Sequence, residues 1–236
     1  MRACRAMKPS DSPRSVLRAA EISVAALAIL LLVLGLSLWV LTTPAYVNAL
    51  VRVVDSAGST GLGEQVTLDV AESVRRFVVD PDAPGLPEMI EGVPAFDAAA
   101  VSHLVDVRDV VVPTRWLTLV LLVLVPAWGA LRWRMPGGRR FIAKAARTAS
   151  AALLSATVLA ILAGLFDFNA LFAWFHSLFF AEGTWVFPYE ALLIRVFPLR
   201  FWIAAGATWG ALVLITAVLL CLFARWLRFT AGTYGV

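Results

Sequence analysis

The stretch "ISVAALAILLLVLGLSLWVL", Ile22 to Leu41, decides the fold: it runs for 20 residues without a charge. A helix rises about 1.5 Å per residue, so a run of this length crosses the roughly 30 Å hydrocarbon core of a bilayer. Lipid offers the backbone no hydrogen bonds, which leaves a helix as the way to pair every amide of such a run. Arg2, Arg5, Lys8, Arg14 and Arg18 precede it, as in a secretory leader. A leader core spans only about 7–15 residues, however, and "TTPAYV" is a poor small-x-small cleavage site. The stretch therefore reads as a retained anchor helix over residues 22–42, after a tail of residues 1–21.

The rest of the chain agrees with a membrane protein. Its 236 residues are 61% hydrophobic and 15% charged, with a mean hydropathy of +0.84. Soluble domains carry about 25% charged residues. "WLTLVLLVLVPAWGAL" (Trp116 to Leu131) marks a second span, residues 113–133, and Pro126 inside it is tolerated in a membrane helix. The segment "RWRMPGGRRFIAKAAR" follows with six basic residues and no acidic one. Its 134–147 part reads as a loop before a third span at 148–166. A fourth span covers 201–225, ahead of a tail at 226–236. The fold class expected is an all-α membrane protein with four transmembrane helices, a small cap of mixed or irregular structure at 43–112, and an interfacial aromatic segment at 167–200.

Orientation follows from the excess of Lys and Arg on cytoplasmic segments. The first tail, the basic loop and the last tail hold 13 of the 20 Lys/Arg, whereas 14 of the 16 Asp/Glu fall on the other side. Both termini are thus expected in the cytoplasm, with the cap and the aromatic segment outside. The positive charge is accounted for by topology and implies no nucleic acid. The two cysteines, Cys4 and Cys221, sit near the reducing side, so no disulfide is expected. Within the cap, "EQVTLDV" alternates as a strand does, and "DPDAPGLPEMIEGVP" is broken by prolines into loop. "GSTGLG" (Gly58 to Gly63) reads as flexible loop, since no strand–helix context makes it a phosphate cradle.

The candidate chemistry rests on the chain's two histidines, His103 in "SHLVDVRDV" and His176 in "AWFHSLFF". On this topology they share one face of the membrane. If the first segment is helical, His103 and Asp106 are i,i+3 neighbours, and the carboxylate can orient the imidazole; if it is a strand, the two point apart. An imidazole among apolar rings loses basicity, so a histidine kept there suggests a partner or a task. Histidine titrates near neutral pH without tuning, which suits a pair acting as base and acid. A metal is not expected: His103, His176 and Asp106 would make a facial triad, but the other carboxylates lack ligand spacing. No cofactor is implied, and oligomeric state is not encoded in any recognisable signal. Arg108, Arg195 and Arg200 are candidates for an anionic headgroup or oxyanion, or for snorkelling at the interface.

These segments carry a resemblance. "SHLVDVRDV" and "FDFNALFAWFHSLFFAEGTWVFPYEALLIRVFPLRFW" resemble the lipoprotein intramolecular transacylase (Lit) family of bacterial membrane proteins. The H-x-x-D-V-R-like pattern falls on His103, Asp106, Val107 and Arg108. The F-H-x-x-F-F pattern, followed by G-T-W, falls on Phe175, His176, Phe179, Phe180, Gly183, Thr184 and Trp185. The resemblance implies four transmembrane helices with an extracellular cap, in a bacterial plasma membrane. It also implies transfer of the sn-2 acyl chain of a diacylglyceryl lipoprotein onto the α-amine of its own N-terminal cysteine, giving the lyso form. His103 and His176 would be catalytic, Asp106 and Arg108 supporting, and Trp174, Phe175, Phe179, Phe180 and Trp185 would line the acyl chains. Partners would be the diacylated lipoprotein and membrane lipids. His103 oriented by Asp106 suits the base and His176 the acid, with the reverse assignment also open. Two other readings use the same residues: a lipid ester hydrolase or intermolecular acyltransferase, which would release or pass on the chain, and a non-catalytic scaffold that binds acyl chains.

Overall fold

The computed structural model describes residues 13–233, and side-chain surroundings over 15–230. Cys4 and most of the expected N-terminal tail lie outside the described residues. Helix α1 (Pro13–Leu41) is followed by the short cap helices α2 (Pro44–Val53), α3 (Ser56–Thr60) and α4 (Glu64–Val79). Two strands of two residues each, β1 (Met89–Ile90) and β2 (Val93–Pro94), pair antiparallel. Then come α5 (Ala98–Trp133), α6 (Gly138–Phe166), α7 (Phe168–Ser177), α8 (Leu192–Val196) and α9 (Leu199–Thr233). Four helices, α1, α5, α6 and α9, are long and apolar enough to cross a membrane.

The spanning helices pack through small residues, as expected where lipid removes any hydrophobic drive between them. Ala145 and Ala149 of α6 meet Ala25 and Ala26 of α1. Ala143 and Ala146 meet Ala224 and Leu227 of α9. The Ser150 hydroxyl donates across to the Ala217 carbonyl at 2.8 Å, a polar tie between α6 and α9. On the side away from the cap, the Arg132 guanidinium pairs with Glu21, joining the end of α5 to α1.

The cap does not stand on a core of its own. Val47, Leu50, Leu68, Ala71, Val74 and Phe77 of α2 and α4 share one cluster with Ala100 and Leu104 of α5, Val196 of α8 and Phe201 of α9. Helix α5 is the reason: residues 98–112, expected in the cap, are its first turns. It is thus one continuous rod from the cap to the short turn before α6, whose first turns take up residues 138–147 of the expected loop.

The cap corrects three expectations. "EQVTLDV" is the start of α4, not a strand. Its alternation rests on Val66, Leu68 and Val70, whereas the buried residues are Thr67, Leu68, Val70, Ala71, Val74 and Phe77, which recur at three and four residues as one face of a helix does. "GSTGLG" includes the end of α3, a single helical stretch with Asp55 as its N-cap, whose side chain accepts from Gly58 N–H at 3.1 Å. Arg195 and Arg200 hold this helix rather than a free anion: Arg195 donates to the Ser59 carbonyl at 2.8 Å and also to the Thr60 carbonyl. Arg200 donates to the Asp55 carbonyl at 2.7 Å and to the Ser59 hydroxyl at 2.6 Å. Arg195 thus meets carbonyls at the negative, C-terminal end of α3, while Arg200 reaches its N-cap carbonyl and the Ser59 hydroxyl.

Candidate active site

Three local structures bring the site together. The first turns of α5 carry His103. Helix α7, N-capped by Asp167 accepting from Ala170 N–H at 3.0 Å, carries His176 near its end. The chain then turns at Ala181–Thr184, where Thr184 N–H and hydroxyl both donate to the Ala181 carbonyl, at 3.2 and 2.9 Å. Gly183 holds φ +83°, a conformation that a side chain disfavours. This turn folds Trp185 and Phe187 back onto the histidines.

The two imidazole centroids lie 6.3 Å apart with their planes 29° from parallel. Both side chains are buried, His103 at 8% exposure and His176 at 9%. Phe180 meets both rings, at 5.0 Å from His103 and 5.7 Å from His176. Phe187 closes the His103 side at 5.6 Å. Phe172 lies against His176 at 3.9 Å, and Trp185 at 5.0 Å.

Hydrogen bonding distinguishes the pair. His176 Nδ1 is 2.9 Å from the Phe172 carbonyl, which can only accept, so Nδ1 carries the proton and Nε2 holds a lone pair when the ring is neutral. Burial pulls the His176 imidazole below the ordinary histidine range, and the bond to Phe172 partly opposes this. His103 Nδ1 is buried with no hydrogen-bond partner, and so is Trp185 Nε1.

The other sequence candidates divide. Asp106 stands on a helix with His103, but no hydrogen bond or ion pair joins them among the described residues. Three residues along a helix leave the side chains about 60° apart around its axis. His103 turns inward to the rings while Asp106 stays half-buried. The facial triad of His103, His176 and Asp106 is likewise not assembled. Arg108 serves the cap: its guanidinium lies 5.1 Å over Phe77 and donates to the Pro81 carbonyl. Phe175 touches His176 edge-on at 5.8 Å and Phe179 at 5.3 Å, yet both stay about half exposed. Trp174, 59% exposed, lies on the outer face of α7 and makes no ring contact among the described residues. Phe172 was not a sequence candidate; its position four residues before His176 on a helix was the available signal. The arrangement is an aromatic cluster holding two buried imidazoles and one indole N–H without an acceptor among the described residues, suited to moving protons beside an apolar chain.

Comparison with known proteins agrees with this architecture. The family described as "Lipoprotein intramolecular transacylase Lit" matches over residues 22–202. No curated protein matches the chain. The in meso structure of the membrane integral lipoprotein intramolecular transacylase Lit from Bacillus cereus superposes with a TM-score of 0.77 at 15% identity, covering 92% of this chain and 99% of that one. Two variants of that protein, with a histidine replaced by arginine or by alanine, superpose at 0.72 and 14% identity. They cover 93% of this chain and 96% and 97% of theirs.

Proposed function

We propose a two-histidine mechanism for this chain, which belongs to the lipoprotein intramolecular transacylase (Lit) family and is an acyltransferase of the membrane. The substrate is a diacylglyceryl lipoprotein, and the sn-2 acyl chain moves from glyceryl oxygen to the α-amine of the N-terminal cysteine in the same molecule. The observation that carries the proposal is the 6.3 Å approach of His103 and His176 within a cluster of aromatic rings.

Proton bookkeeping explains why two histidines suit the reaction. An α-amine titrates near 7.7–8.0, so much of it arrives as ammonium at neutral pH. Ammonium has three N–H bonds and the product amide has one, so two protons leave the nitrogen. One ends on the glyceryl oxygen and the other goes to solvent. His103 takes the first proton, freeing the lone pair. The nitrogen then attacks the ester carbonyl carbon while His176 Nε2 takes the second proton. Collapse of the tetrahedral intermediate breaks the carbon–glyceryl oxygen bond, and His103 returns its proton to that oxygen. His176 releases its proton to water. The tautomer held by the Phe172 carbonyl favours His176 as the base of the attack step, the reverse of the assignment that Asp106 beside His103 suggests in sequence.

Nucleophile and ester belong to one substrate, so the enzyme's task is to fold it into a reactive ring, which is worth roughly 7–11 kcal/mol in favourable cases. Dry aromatic walls also keep water from hydrolysing the ester. The distribution of basic residues supports cytoplasmic termini and a site at the outer face of a bacterial plasma membrane; a fluorescent C-terminal reporter that matures only in the cytoplasm should light up, and a dark one would reverse the topology.

The test is co-expression with a diacylated lipoprotein in a host lacking other N-acylation. Intact mass does not change, so fragmentation spectra must show the chain on the amine. His103→Ala and His176→Ala should each abolish transfer at normal membrane levels. Free fatty acid or an acylated second molecule would favour the hydrolase or intermolecular reading, and a phenotype indifferent to both histidines would favour a scaffold.

A further inference from the structure

Among the chain's nine tryptophans, Trp185 alone buries its Nε1–H without an acceptor in the described residues. Trp202, a ring of the same cluster 5.9 Å from Phe172, gives its N–H to the Phe197 carbonyl at 3.0 Å. An indole N–H can only donate, and leaving a buried donor empty is costly. The turn at Gly183 and Thr184 nevertheless sets Trp185 5.0 Å from His176, tilted 37° to it. A wall alone would need no N–H, and phenylalanines already form the others: Phe172, Phe180 and Phe187. At that separation the indole and the His176 imidazole are close enough to meet groups of one small substrate.

We infer that the Trp185 Nε1–H is an oxyanion donor, hydrogen-bonding the carbonyl oxygen of the ester under attack. The inference rests on the transacylation reading above. As the nitrogen lone pair forms the new C–N bond, the carbonyl π pair moves onto oxygen, and the indole holds that charge. When the C=O bond reforms, the bond to the glyceryl oxygen breaks and the charge leaves the indole's reach. Trp185 keeps its proton throughout, so the two protons follow the histidine route already described. A donor placed where charge develops acts on the transition state more than on the ground state.

The experiment compares kcat and KM of the full-length protein in detergent micelles. The substrate is a synthetic peptide bearing S-(2,3-diacyloxypropyl)cysteine at its N-terminus, and the N-acyl product is read by fragmentation. Trp185→Phe removes the donor and part of the ring. A second protein carries benzothienylalanine at position 185, which keeps the bicyclic shape and puts sulfur in place of N–H. Both should lose about 10²–10³-fold in kcat, as removal of one oxyanion donor does, with KM within about threefold. The benzothienyl protein should keep the wild-type yield and thermal midpoint. Wild-type kcat in the benzothienyl protein, or a rise in KM alone, overturns the donor and leaves Trp185 as a wall. Absence of N-acyl product from the wild type refutes the transacylation reading, and the donor with it.

Discussion

Phe172 contributes to the site twice, with its ring 3.9 Å from the His176 ring and its carbonyl 2.9 Å from His176 Nδ1. That pairing makes a prediction at the scale of one side chain. The chain has two histidines, so histidine-selective isotope labelling yields two sets of signals that single variants assign. His176 should titrate below its ordinary value of 6.5, because burial penalises the cation. It is therefore neutral at pH 7 and stays a competent base until the pH falls below that lowered midpoint. Its neutral form should show Nδ1 protonated. A midpoint above 6.5 or an Nε2–H tautomer would reject the base assignment. Asp106 gives the opposite test. An orienting aspartate in a hydrolytic triad is worth about 10⁴ in kcat, but Asp106 makes no bond to His103. Asp106→Asn should thus cost less than about tenfold, and a loss of a thousandfold would restore it as the orienting group. The two histidines stood out in sequence as candidates because few residue types move protons near neutral pH. That the Phe172 carbonyl holds His176, and that Asp106 makes no bond to His103, was not legible, because it depends on side-chain direction.

At the scale of an element, the Ala181–Thr184 turn brings Trp185 and Phe187 against the two histidines. Gly183 sits at φ +83° with nothing within 4 Å of the place a Cβ would occupy. Gly183→Ala therefore meets no clash, and its cost is the left-handed backbone alone, about 1–2 kcal/mol. Faster amide exchange across residues 181–187, together with lower kcat, is the expected outcome. Unchanged exchange would mean the turn does not depend on glycine there. Helix α4 shows why short windows mislead. Seven residues of "EQVTLDV" fit a strand's alternation, but the helix is stabilised over its whole length by a buried stripe and by local pairs. Among them are Gln65 with Asp69 at 2.9 Å and Arg75 with Glu72 at 2.6 Å.

Across the whole molecule, the packing of the spans depends on close approach between helices. Gly35 of α1 faces Thr118 of α5, and a Cβ at Gly35 would land on the Thr118 hydroxyl oxygen, which donates to the Thr114 carbonyl at 2.7 Å. Gly35→Ala should separate α1 from α5 and lower the thermal midpoint in micelles by the equivalent of about 1–3 kcal/mol, the usual cost of overpacking. Adding Thr118→Ala removes the obstructing oxygen and should restore part of the loss. A single variant as stable as the wild type would show that the helices are not in close contact there.

The sequence alone determined the membrane class and the four spans, because lipid imposes a simple rule of length and polarity that each segment obeys independently of the others. Motif resemblance pointed to the family for the same reason, being carried by contiguous residues. Tertiary structure decided that the cap shares its core with α5, α8 and α9. It also decided that Arg195 and Arg200 brace α3, and that Phe172 rather than Asp106 sets the tautomer of a histidine. Those outcomes turn on rotations of about 100° per residue around helices and on which segments fold back on one another, and such information exists only once the helices are packed.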